Sequence, residues 1–365
     1  MPVEELDTSI GGLPIRRLTP PPGPPGSGPE LLHLDVAPGR GMLILQARVR
    51  LASGETTDLF ASPPLEEIAR RLNGGPEDFA GSASFSLGGA LLYPYANRIL
   101  GTPAERRTIE ADVLGRTVTL PRNWGGKAPG ARQYAIHGLI LDKRFGVVRA
   151  TDTAGAAVIR AEQDFGDFGG AWLGSSSLVI EAAIDRRGLT IRLQARNAGT
   201  EALPVGVGWH PYFALPSGQR EQARVAIPAP TRLAVDNYDE VIPTGRLLPV
   251  AGTDYDLRGA NGRRLGDAYF DDCFVDLGKT AGGELVCTIE DPASGHGVRI
   301  RTASPSVRAV QLYAPPDKGY AALEPQFNWP DPFGAEWPPG TDTGIAVIEP
   351  GGETSYEVRV EPYAV

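Results

Sequence analysis

A histidine in a glycine-rich apolar segment is the first residue that could do chemistry. In GVGWHPYF, at 206–213, Gly206, Gly208 and His210 would share one face of a strand. Two glycines beside an imidazole leave a hollow that suits a small ligand. A histidine satisfied inside the core, with the glycines marking a bulge, would need no ligand. The segment therefore marks His210 as a candidate acid or base and leaves both interpretations open.

A glutamate in a second apolar segment is the natural partner. In AALEPQ, at 321–326, Ala322, Glu324 and Gln326 would share one face. Burying a carboxylate is costly without a purpose, and that purpose can be proton transfer or a structural salt bridge. If it is proton transfer, Glu324 and His210 should face each other across one open pocket.

Two further segments place polar groups beside apolar ones. LLYPYANR, at 91–98, ends in Asn97 and Arg98. The guanidinium of Arg98 offers a fork of donors that suits sugar hydroxyls, or a strand end at the surface. His137 stands beside Gly138 and alone indicates no chemistry.

Taken together, these segments resemble the galactose mutarotase (aldose 1-epimerase) family. The matching pieces are GALLYPYANRI (89–99), HG (137–138), GWHPYF (208–213), DDCF (271–274), QLY (311–313), LEPQ (323–326), NWPD (328–331) and PGGE (350–353). Family order and spacing are kept from about Glu30 to the end of the chain. The resemblance implies an all-β fold, the large antiparallel β-sandwich of that family, with few short helices.

The resemblance also implies roles for single residues. His210 would be the general acid that protonates the ring oxygen of an aldose, and Glu324 the general base that deprotonates the C1 hydroxyl. The positions that hold sugar hydroxyls in the family correspond to Asn97, Arg98, His137, Asp271 and Gln311. We prefer Asp271 to Asp272 because Asp271 stands three residues before Phe274, as the family pattern requires.

The chemistry of mutarotation needs little beyond such a pair. The ring opens to a free aldehyde, the C1–C2 bond turns, and the ring closes on the other face. One acid and one base on opposite sides of C1 suffice, each contributing ~10²–10⁴-fold. The sequence offers no convincing candidate for a metal site, a redox cofactor or a covalent nucleophile. A lone carboxylate also differs from the two that glycosidases need.

Three features depart from the family pattern and bear on which sugar is preferred. The segment 139–145 (LILDKRF) replaces residues that are often polar or tryptophan in relatives, and Phe327 and Trp329 replace smaller ones. The insertion at 65–86 is the third. We expect each of them to reach the rim of the pocket and change its shape.

Two other functions fit the same residues. A hexose-6-phosphate epimerase needs additional cations, and Lys127, Arg132, Lys143 and Arg144 lie near His137 in the sequence, although they also fit a solvated loop. A sugar-binding protein without catalysis would share the fold, since fold does not fix function. Loss of the acid or the base would have favoured a sugar-binding protein without catalysis, but both His210 and Glu324 are present.

Alternation of apolar and polar residues dominates the rest of the chain and must position these side chains. Clear examples lie at 178–184, 189–196, 298–301 and 356–360. A period of two predicts antiparallel sheets with one buried face, and roughly twenty strands in two packed sheets would accommodate the chain. One stretch predicts a helix, which Pro64 would start and Asn73-Gly74 would end.

The domain organisation predicted from composition is simple. Residues 13–29 are dense in proline and glycine, so we expect residues 1–29 to form a flexible arm and residues 30–365 a single domain. The net charge of −9 argues against a nucleic-acid partner, and no apolar run is long enough to span a membrane. We expect a cytoplasmic monomer or homodimer that binds a small sugar.

The two cysteines give a prediction that depends on register. Residues 269–277 and 284–290 would form a hairpin that pairs Cys273 with Cys287. A cytoplasmic protein would keep both as free thiols.

Overall fold

The alternating segments form strands with one buried face, as predicted. The computed structural model describes residues 3–22, 28–153, 155–259 and 261–365. The strand Leu189–Asn197 buries every second side chain, and Ser176–Ile184 pairs with it over its whole length. Apolar residues at a period of two can all reach one face only in an extended chain.

The strands follow one another along the chain. The first are β1 (Val3–Ile10), β2 (Leu13–Leu18), β3 (Glu30–Ala37), β4 (Leu43–Arg50), β5 (Thr56–Asp58), β6 (Gly89–Leu92), β7 (Arg98–Ile99), β8 (Thr102–Ala104), β9 (Thr108–Val113), β10 (Arg116–Pro121), β11 (Trp124–Gly125), β12 (Gln133–Ile136), β13 (Val147–Thr153), β14 (Ala156–Phe165) and β15 (Ser176–Ile184). The others are β16 (Leu189–Asn197), β17 (Leu203–Val205), β18 (Gly208–Ala214), β19 (Arg224–Ala226), β20 (Thr231–Val235), β21 (Pro243–Pro249), β22 (Arg263–Arg264), β23 (Phe270–Val275), β24 (Leu285–Asp291), β25 (His296–Thr302), β26 (Ala309–Ala314), β27 (Tyr320–Gln326), β28 (Ala346–Ile348) and β29 (Glu353–Ala364).

Two large antiparallel sheets contain most of these strands. One is twelve-stranded and runs β1-β2-β3-β4-β6-β18-β27-β26-β23-β20-β21, with β5 paired to β4. The other is nine-stranded and runs β13-β14-β15-β16-β29-β25-β24-β19-β22. Smaller sheets are formed by β8 to β10, by β7 with β11 and β12, and by β17 with β28.

The two large sheets share one hydrophobic core. Leu193 and Val358 of the nine-stranded sheet belong to the same buried cluster as Leu312 of the twelve-stranded sheet. The Tyr356 hydroxyl crosses between the sheets and donates a hydrogen bond of 2.8 Å to the carbonyl oxygen of Pro325. The predicted all-β antiparallel sandwich is confirmed.

One α-helix, α1 (Leu65–Arg71), lies in the described part of the chain, at the predicted place. Pro64 precedes it and Ile68 is its buried residue. Short 3-10 turns lie at Pro76–Ser86, Arg220–Gln222 and Pro292–Ser294. No helix within the described ranges is long and apolar enough to cross a membrane.

The prediction of a flexible arm at residues 1–29 is wrong for residues 3–18. There β1 and β2 form a hairpin that extends the twelve-stranded sheet, and Ile10, Ile15 and Leu18 are buried. Most of the prolines and glycines that suggested a flexible arm lie after Leu18. The two strands are formed by the residues before it. Residues 1–2 and 23–27 lie outside the described residues. The single domain at 30–365 stays a prediction.

The predicted hairpin between the cysteines is also wrong. Strand β23 pairs with β20 and β26, and β24 pairs with β19 and β25, so the two strands belong to different sheets. The loop between them crosses from one sheet to the other instead of turning back. Cys273 and Cys287 are both buried and free.

Candidate active site

One cavity of about 280 Å³ opens at the face of the twelve-stranded sheet. Its floor is built by four neighbouring strands, β18, β27, β26 and β23, and β7 and the end of β12 complete it. The predicted residues that line it are Asn97, Arg98, His137, His210, Asp271, Gln311 and Glu324. All seven residues selected from the sequence are therefore brought together, although their positions span most of the chain.

His210 and Glu324 lie side by side in this cavity. The His210 Nε2 and Glu324 Oε1 atoms are 3.3 Å apart, and both residues are at most 5% exposed. They touch each other, whereas the sequence predicted that they would face each other across the pocket. Neither His210 Nδ1 nor Glu324 Oε2 has a hydrogen-bond partner among the described residues.

Burial acts on the two groups in opposite directions. It lowers the pKa of His210 to about 3, with the charge of Arg98 adding to the effect. It raises the pKa of Glu324 well above its usual value, with the charge of Asp271 adding and that of Arg98 opposing. A neutral imidazole beside a protonated carboxyl contains the same number of protons as an imidazolium beside a carboxylate. The contacting pair therefore titrates as a unit that carries one proton between its two members.

A closed ring of hydrogen bonds forms the wall beside this pair, where Gln311 is the cross-strand neighbour of Glu324. Arg98 donates to Asp271 Oδ2 at 3.2 Å and to Asn97 Oδ1 at 2.8 Å. Asn97 donates to Gln311 Oε1 at 3.1 Å, and Gln311 donates to Asp271 Oδ1 at 2.6 Å. Each side chain is fixed by two others, so the wall presents a prearranged set of donors and acceptors.

Opposite charges balance within this ring. Burial lowers the pKa of Arg98, but Asp271, Tyr134 and Glu324 together more than offset it, so the net pKa lies above the usual value. Burial raises the pKa of Asp271, and Arg98 opposes that shift. The guanidinium is consequently charged and already paired, which leaves little net charge for a ligand to neutralise.

The neighbouring Asp272 points away from the cavity. Its carboxylate accepts from Arg232 at 3.0 Å and from the Tyr238 hydroxyl at 2.8 Å. Adjacent residues of a strand point to opposite faces, so only one of the two aspartates can reach the cavity. The structure brings Asp271 to it.

His137 enters the cavity from a tight turn after β12. Its backbone is left-handed, with φ of 64°, and Gly138 follows with φ of 79°. A Cβ on Gly138 would collide with the backbone of Tyr93, so only glycine fits there. The His137 ring lies edge-on to His210, with ring centroids 4.9 Å apart, and burial lowers its pKa well below the usual value.

Segment 328–331 holds the backbone around Asn97 and Arg98. The Asn328 side chain accepts from Ala96 N at 3.0 Å and donates to the Ala96 carbonyl oxygen at 2.8 Å. Asp331 N donates to the Arg98 carbonyl oxygen at 2.7 Å. These contacts bracket Asn97, whose backbone is itself left-handed, with φ of 61°. Sequence analysis matched NWPD only as a family piece and missed this role.

The insertion at 65–86 reaches the cavity, as predicted. Its last turn presents Phe85, whose ring lies 4.8 Å from the ring of His137 and 6.1 Å from that of His210. A buried ion pair between Arg40 and Asp78 fixes the turn, and Arg40 Nε also donates to Ser84 Oγ at 2.9 Å. The single Phe85 side chain gave no periodic signal that sequence analysis could have used.

Aromatic side chains complete the rim. The Trp124 and Tyr269 side chains at the mouth remain 41% and 39% exposed. The Tyr212 ring lies against His210, with centroids 4.8 Å apart. Such rings offer flat apolar faces beside the hydrogen-bonding wall, a combination typical of small-ligand sites.

Comparison with known proteins connects this cavity with a family. The family described as aldose 1-epimerase matches residues 68–361 of the chain. The chain belongs to the aldose 1-epimerase family.

Solved structures with the same fold cover nearly the whole chain. A galactose mutarotase-like protein from Clostridium acetobutylicum has a TM-score of 0.74 and 17% identity, covering 100% of this chain and 98% of that one. Galactose 1-epimerase from Lactobacillus acidophilus NCFM has a TM-score of 0.67 and 17% identity, with 99% and 98% covered. At this identity the likeness shows the fold.

A sequence relative covers a shorter stretch. The uncharacterized protein YphB of Escherichia coli (strain K12) is 30% identical over 184 residues, which is 47% of this chain and 56% of that protein. The match thus spans little more than half the length of this relative.

Within the aldose 1-epimerase fold, two predicted departures do not affect the rim. Leu139, Ile140, Leu141 and Phe145 of segment 139–145 are buried in the hydrophobic core. Phe327 is fully buried, and Trp329 packs against Trp337. None of these side chains lines the cavity, so the expectation that they reshape its rim is wrong. The apolar residues at these positions pack in the core, because they follow strands whose inner faces are apolar.

Two of the four cations considered for a phosphate form ion pairs with neighbouring carboxylates. Arg132 forms an ion pair with Glu240 at 2.6 Å, and Lys143 forms one with Asp142 at 2.9 Å. Lys127 lines the cavity, but Asp239 lines it as well and accepts from the Lys127 backbone N–H at 2.9 Å. No group of three or more His, Cys, Asp and Glu side chains in the described ranges is placed to hold a metal ion.

Proposed function

We propose that this protein interconverts the α and β anomers of a free, neutral aldose. The observation that carries the proposal is the contact of 3.3 Å between His210 Nε2 and Glu324 Oε1 inside a cavity lined by fixed hydrogen-bonding groups. An acid and a base in reach of the same sugar carbon are what ring opening needs.

The reaction follows from the proton that the pair carries. In ring opening, Glu324 takes the proton of the C1 hydroxyl while His210 delivers one to the ring oxygen, as the C1–O5 bond breaks and the C1 carbonyl forms. Both oxygens are bonded to C1, so two adjacent protein groups can serve them. After rotation about C1–C2, the reverse transfers close the ring on the other face. The total number of protons on the pair is the same before and after.

The active form differs from the resting form by one proton transfer. Burial favours neutral His210 beside protonated Glu324. Moving the proton across the contact between them gives the imidazolium and carboxylate that the reaction uses. Hydroxyl groups of a bound sugar can stabilise these charges through hydrogen bonds.

The hydrogen-bonded wall beside the pair supports a neutral substrate. Asn97, Gln311 and the paired Arg98 and Asp271 offer donors and acceptors in a balanced set, as sugar hydroxyls require. Hexose-6-phosphate remains the second candidate because Lys127 also lines the cavity. A cytoplasmic location and a monomeric or dimeric state remain predictions.

The test is the rate at which anomers equilibrate, measured by polarimetry or by proton exchange NMR above the spontaneous rate. We expect acceleration for galactose or glucose and a lower kcat/KM for glucose 6-phosphate. Turnover of the phosphate ester alone would favour the second candidate. Calorimetric binding of galactose without any acceleration would indicate a sugar-binding protein without catalysis.

A further inference from the structure

A pair of carboxyl groups converges behind Arg98, outside the catalytic cavity. Asp331 is buried, Glu336 is partly buried, and both side chains lie over Gly334. A Cβ on Gly334 would lie 2.6 Å from Asp331 Oδ2 and closer still to Glu336 Oε2. Neither Asp331 Oδ2 nor Glu336 Oε1 meets a hydrogen-bond donor within the described ranges. Two carboxylates so close would repel each other, so the arrangement calls for a proton between them.

The environment holds that proton up to neutral pH. Burial, together with the charge of Glu336, raises the pKa of Asp331 to about 7, and burial also raises the pKa of Glu336. Arg132 is the cation that faces both carboxyls, and it lowers both pKa values. Its guanidinium is itself bonded to Glu240 at 2.6 Å, which limits that effect.

Asp331 is also the residue that fixes the strand carrying Arg98. Its N–H donates to the Arg98 carbonyl oxygen at 2.7 Å, and its Oδ1 accepts from Leu100 N at 2.9 Å. One aspartate therefore holds the first residue of β7 and the residue that follows the strand. Movement of the Asp331 carboxyl would act on Leu100, the residue after β7, and would reach Arg98 through this two-residue strand and Asn97 through the hydrogen-bond ring.

We propose that Asp331 and Glu336 are positioning residues, and that the proton they share sets how firmly Arg98 and Asn97 are held for the sugar. The proposal rests on the proposed function, because it concerns the same site. When the proton leaves, the two negative charges push the carboxyls apart and loosen β7. His210 and Glu324 belong to other strands, β18 and β27, and keep their contact. Sugar binding should therefore weaken above neutral pH, so that KM rises while kcat stays nearly constant.

The direction in pH follows from the raised pKa. The shared proton is bound below about pH 7 and is lost as the pH rises through that value. We expect KM for galactose to rise about tenfold between about pH 6 and pH 8, with kcat nearly constant. KM and kcat from initial anomerisation rates over this range measure both quantities.

Amide variants separate the effect of the shared proton from the effect of the side chain itself. In Asp331→Asn, the amide oxygen can still accept from Leu100 N while the amide nitrogen donates to Glu336 at any pH. Glu336→Gln offers the same exchange from the less buried partner. Each variant should keep KM low and make it independent of pH. Asp331→Ala, which has neither group, should show a high KM throughout.

An exposed carboxyl in the same stretch is the matched control. The Asp342 side chain is 72% exposed, so Asp342→Asn should keep the wild-type profile. Calorimetric titration of the Glu324→Gln variant with galactose at pH 6 and pH 8 gives the affinity without turnover. A KM that stays flat with pH in the wild type, or a pH dependence that persists in both amide variants, would overturn the proposal while leaving the function intact.

Failure of the proposed function can be distinguished from failure of the positioning proposal. Galactose binding with the expected pH dependence, but without acceleration of anomer exchange, would remove the proposed function and keep the positioning pair. A protein that binds neither galactose nor glucose at either pH would overturn both.

Discussion

Burial keeps His210 neutral and favours protonated Glu324, whereas an isolated glutamate would be a carboxylate at neutral pH. Water stabilises imidazolium and carboxylate charges, and both residues are shielded from it. The sequence could place each residue in an apolar segment but could not show that the two would touch. Contact between them depends on the pairing of β18 with β27, which no local pattern specifies.

Replacing Glu324 with Gln tests the base directly. The amide keeps the shape of the side chain but cannot take the C1 hydroxyl proton, so we expect kcat to fall by about 10²–10⁴-fold. Galactose affinity should change little, because the ring formed by Asn97, Arg98, Gln311 and Asp271 is untouched. Near-wild-type kcat in this variant would exclude Glu324 as the base. Glu221→Gln, the same change at an exposed position outside the cavity, is a control for handling and folding.

The dependence of kcat on pH should reflect the pair as a unit. On the acid side, activity falls when His210 takes up a second proton, and its lowered pKa moves this limb well below the usual histidine value of about 6.5. On the basic side, activity falls when the shared proton is lost, which the raised pKa of Glu324 moves above the usual value of about 4.3. Saturating rates measured from acid to basic pH should thus give a broad plateau. A limb centred near pH 6.5 would indicate an independent histidine instead.

At the scale of elements, the insertion at 65–86 depends on one buried ion pair. Asp78 accepts from Arg40 and also from the backbone N–H groups of Gly74 and Ala83, so a single carboxylate organises the turn that presents Phe85. The helix that begins the insertion was predictable, because its caps and apolar spacing are local. The ion pair was not, since Arg40 lies on the far side of β4 and β5 in the sequence.

Replacing Asp78 with Ala should destabilise the protein by about 3–5 kcal/mol, because it leaves the buried Arg40 guanidinium without its partner. KM for galactose should also rise as Phe85 loses its fixed position beside His137. Urea denaturation and steady-state kinetics measure the two effects. The comparison is Asp58→Ala, which breaks the half-exposed pair with Arg48 and should cost no more than about 1 kcal/mol. Equal losses in the two variants would contradict the assignment.

Across the whole molecule, the amino-terminal hairpin belongs to the folded structure. Ile10 and Ile15 lie in the same buried cluster as Ile68 and Leu72 of the α1 region and Phe85 of the insertion. The hairpin therefore packs beneath the segment that forms one side of the cavity. The composition of residues 1–29 did not indicate this hairpin, because the prolines between Leu18 and Glu30 dominate the average composition of the segment.

Replacing Ile15 with Ala should lower the free energy of unfolding by about 2–5 kcal/mol, as expected for a large-to-small change in a core. A flexible arm would instead tolerate the change. Leu114→Ala, at a position that is 59% exposed, should stay within about 0.5 kcal/mol of the wild type. Chemical denaturation of the three proteins side by side gives the comparison, and an Ile15→Ala value equal to that of Leu114→Ala would contradict burial of the hairpin.

Most of the sandwich was predictable because its strands alternate. Five of the seven cavity residues lie in segments that interrupt that alternation, whereas Asp271 and Gln311 were indicated only by the resemblance to the family. What the sequence did not reveal depends on pairing between distant strands. Cys273 and Cys287 show this most clearly, since two adjacent strands with a short loop between them belong to separate sheets. The hydrogen bonds from Asn328 to Ala96 likewise join positions more than two hundred residues apart.

Strand β1 lies at the end of the twelve-stranded sheet, with no strand on its outer side among the described residues. Free backbone groups on such an edge can recruit a strand from another molecule and start aggregation. Here Glu4, Glu5 and Asp7 place three carboxylates along the edge, and the register shifts between Glu5 and Ser9. A second copy that approached in the same way would bring its own carboxylates against these, over a backbone that is no longer regular. The edge that the hairpin adds to the sheet is thereby protected against edge-to-edge pairing with another molecule.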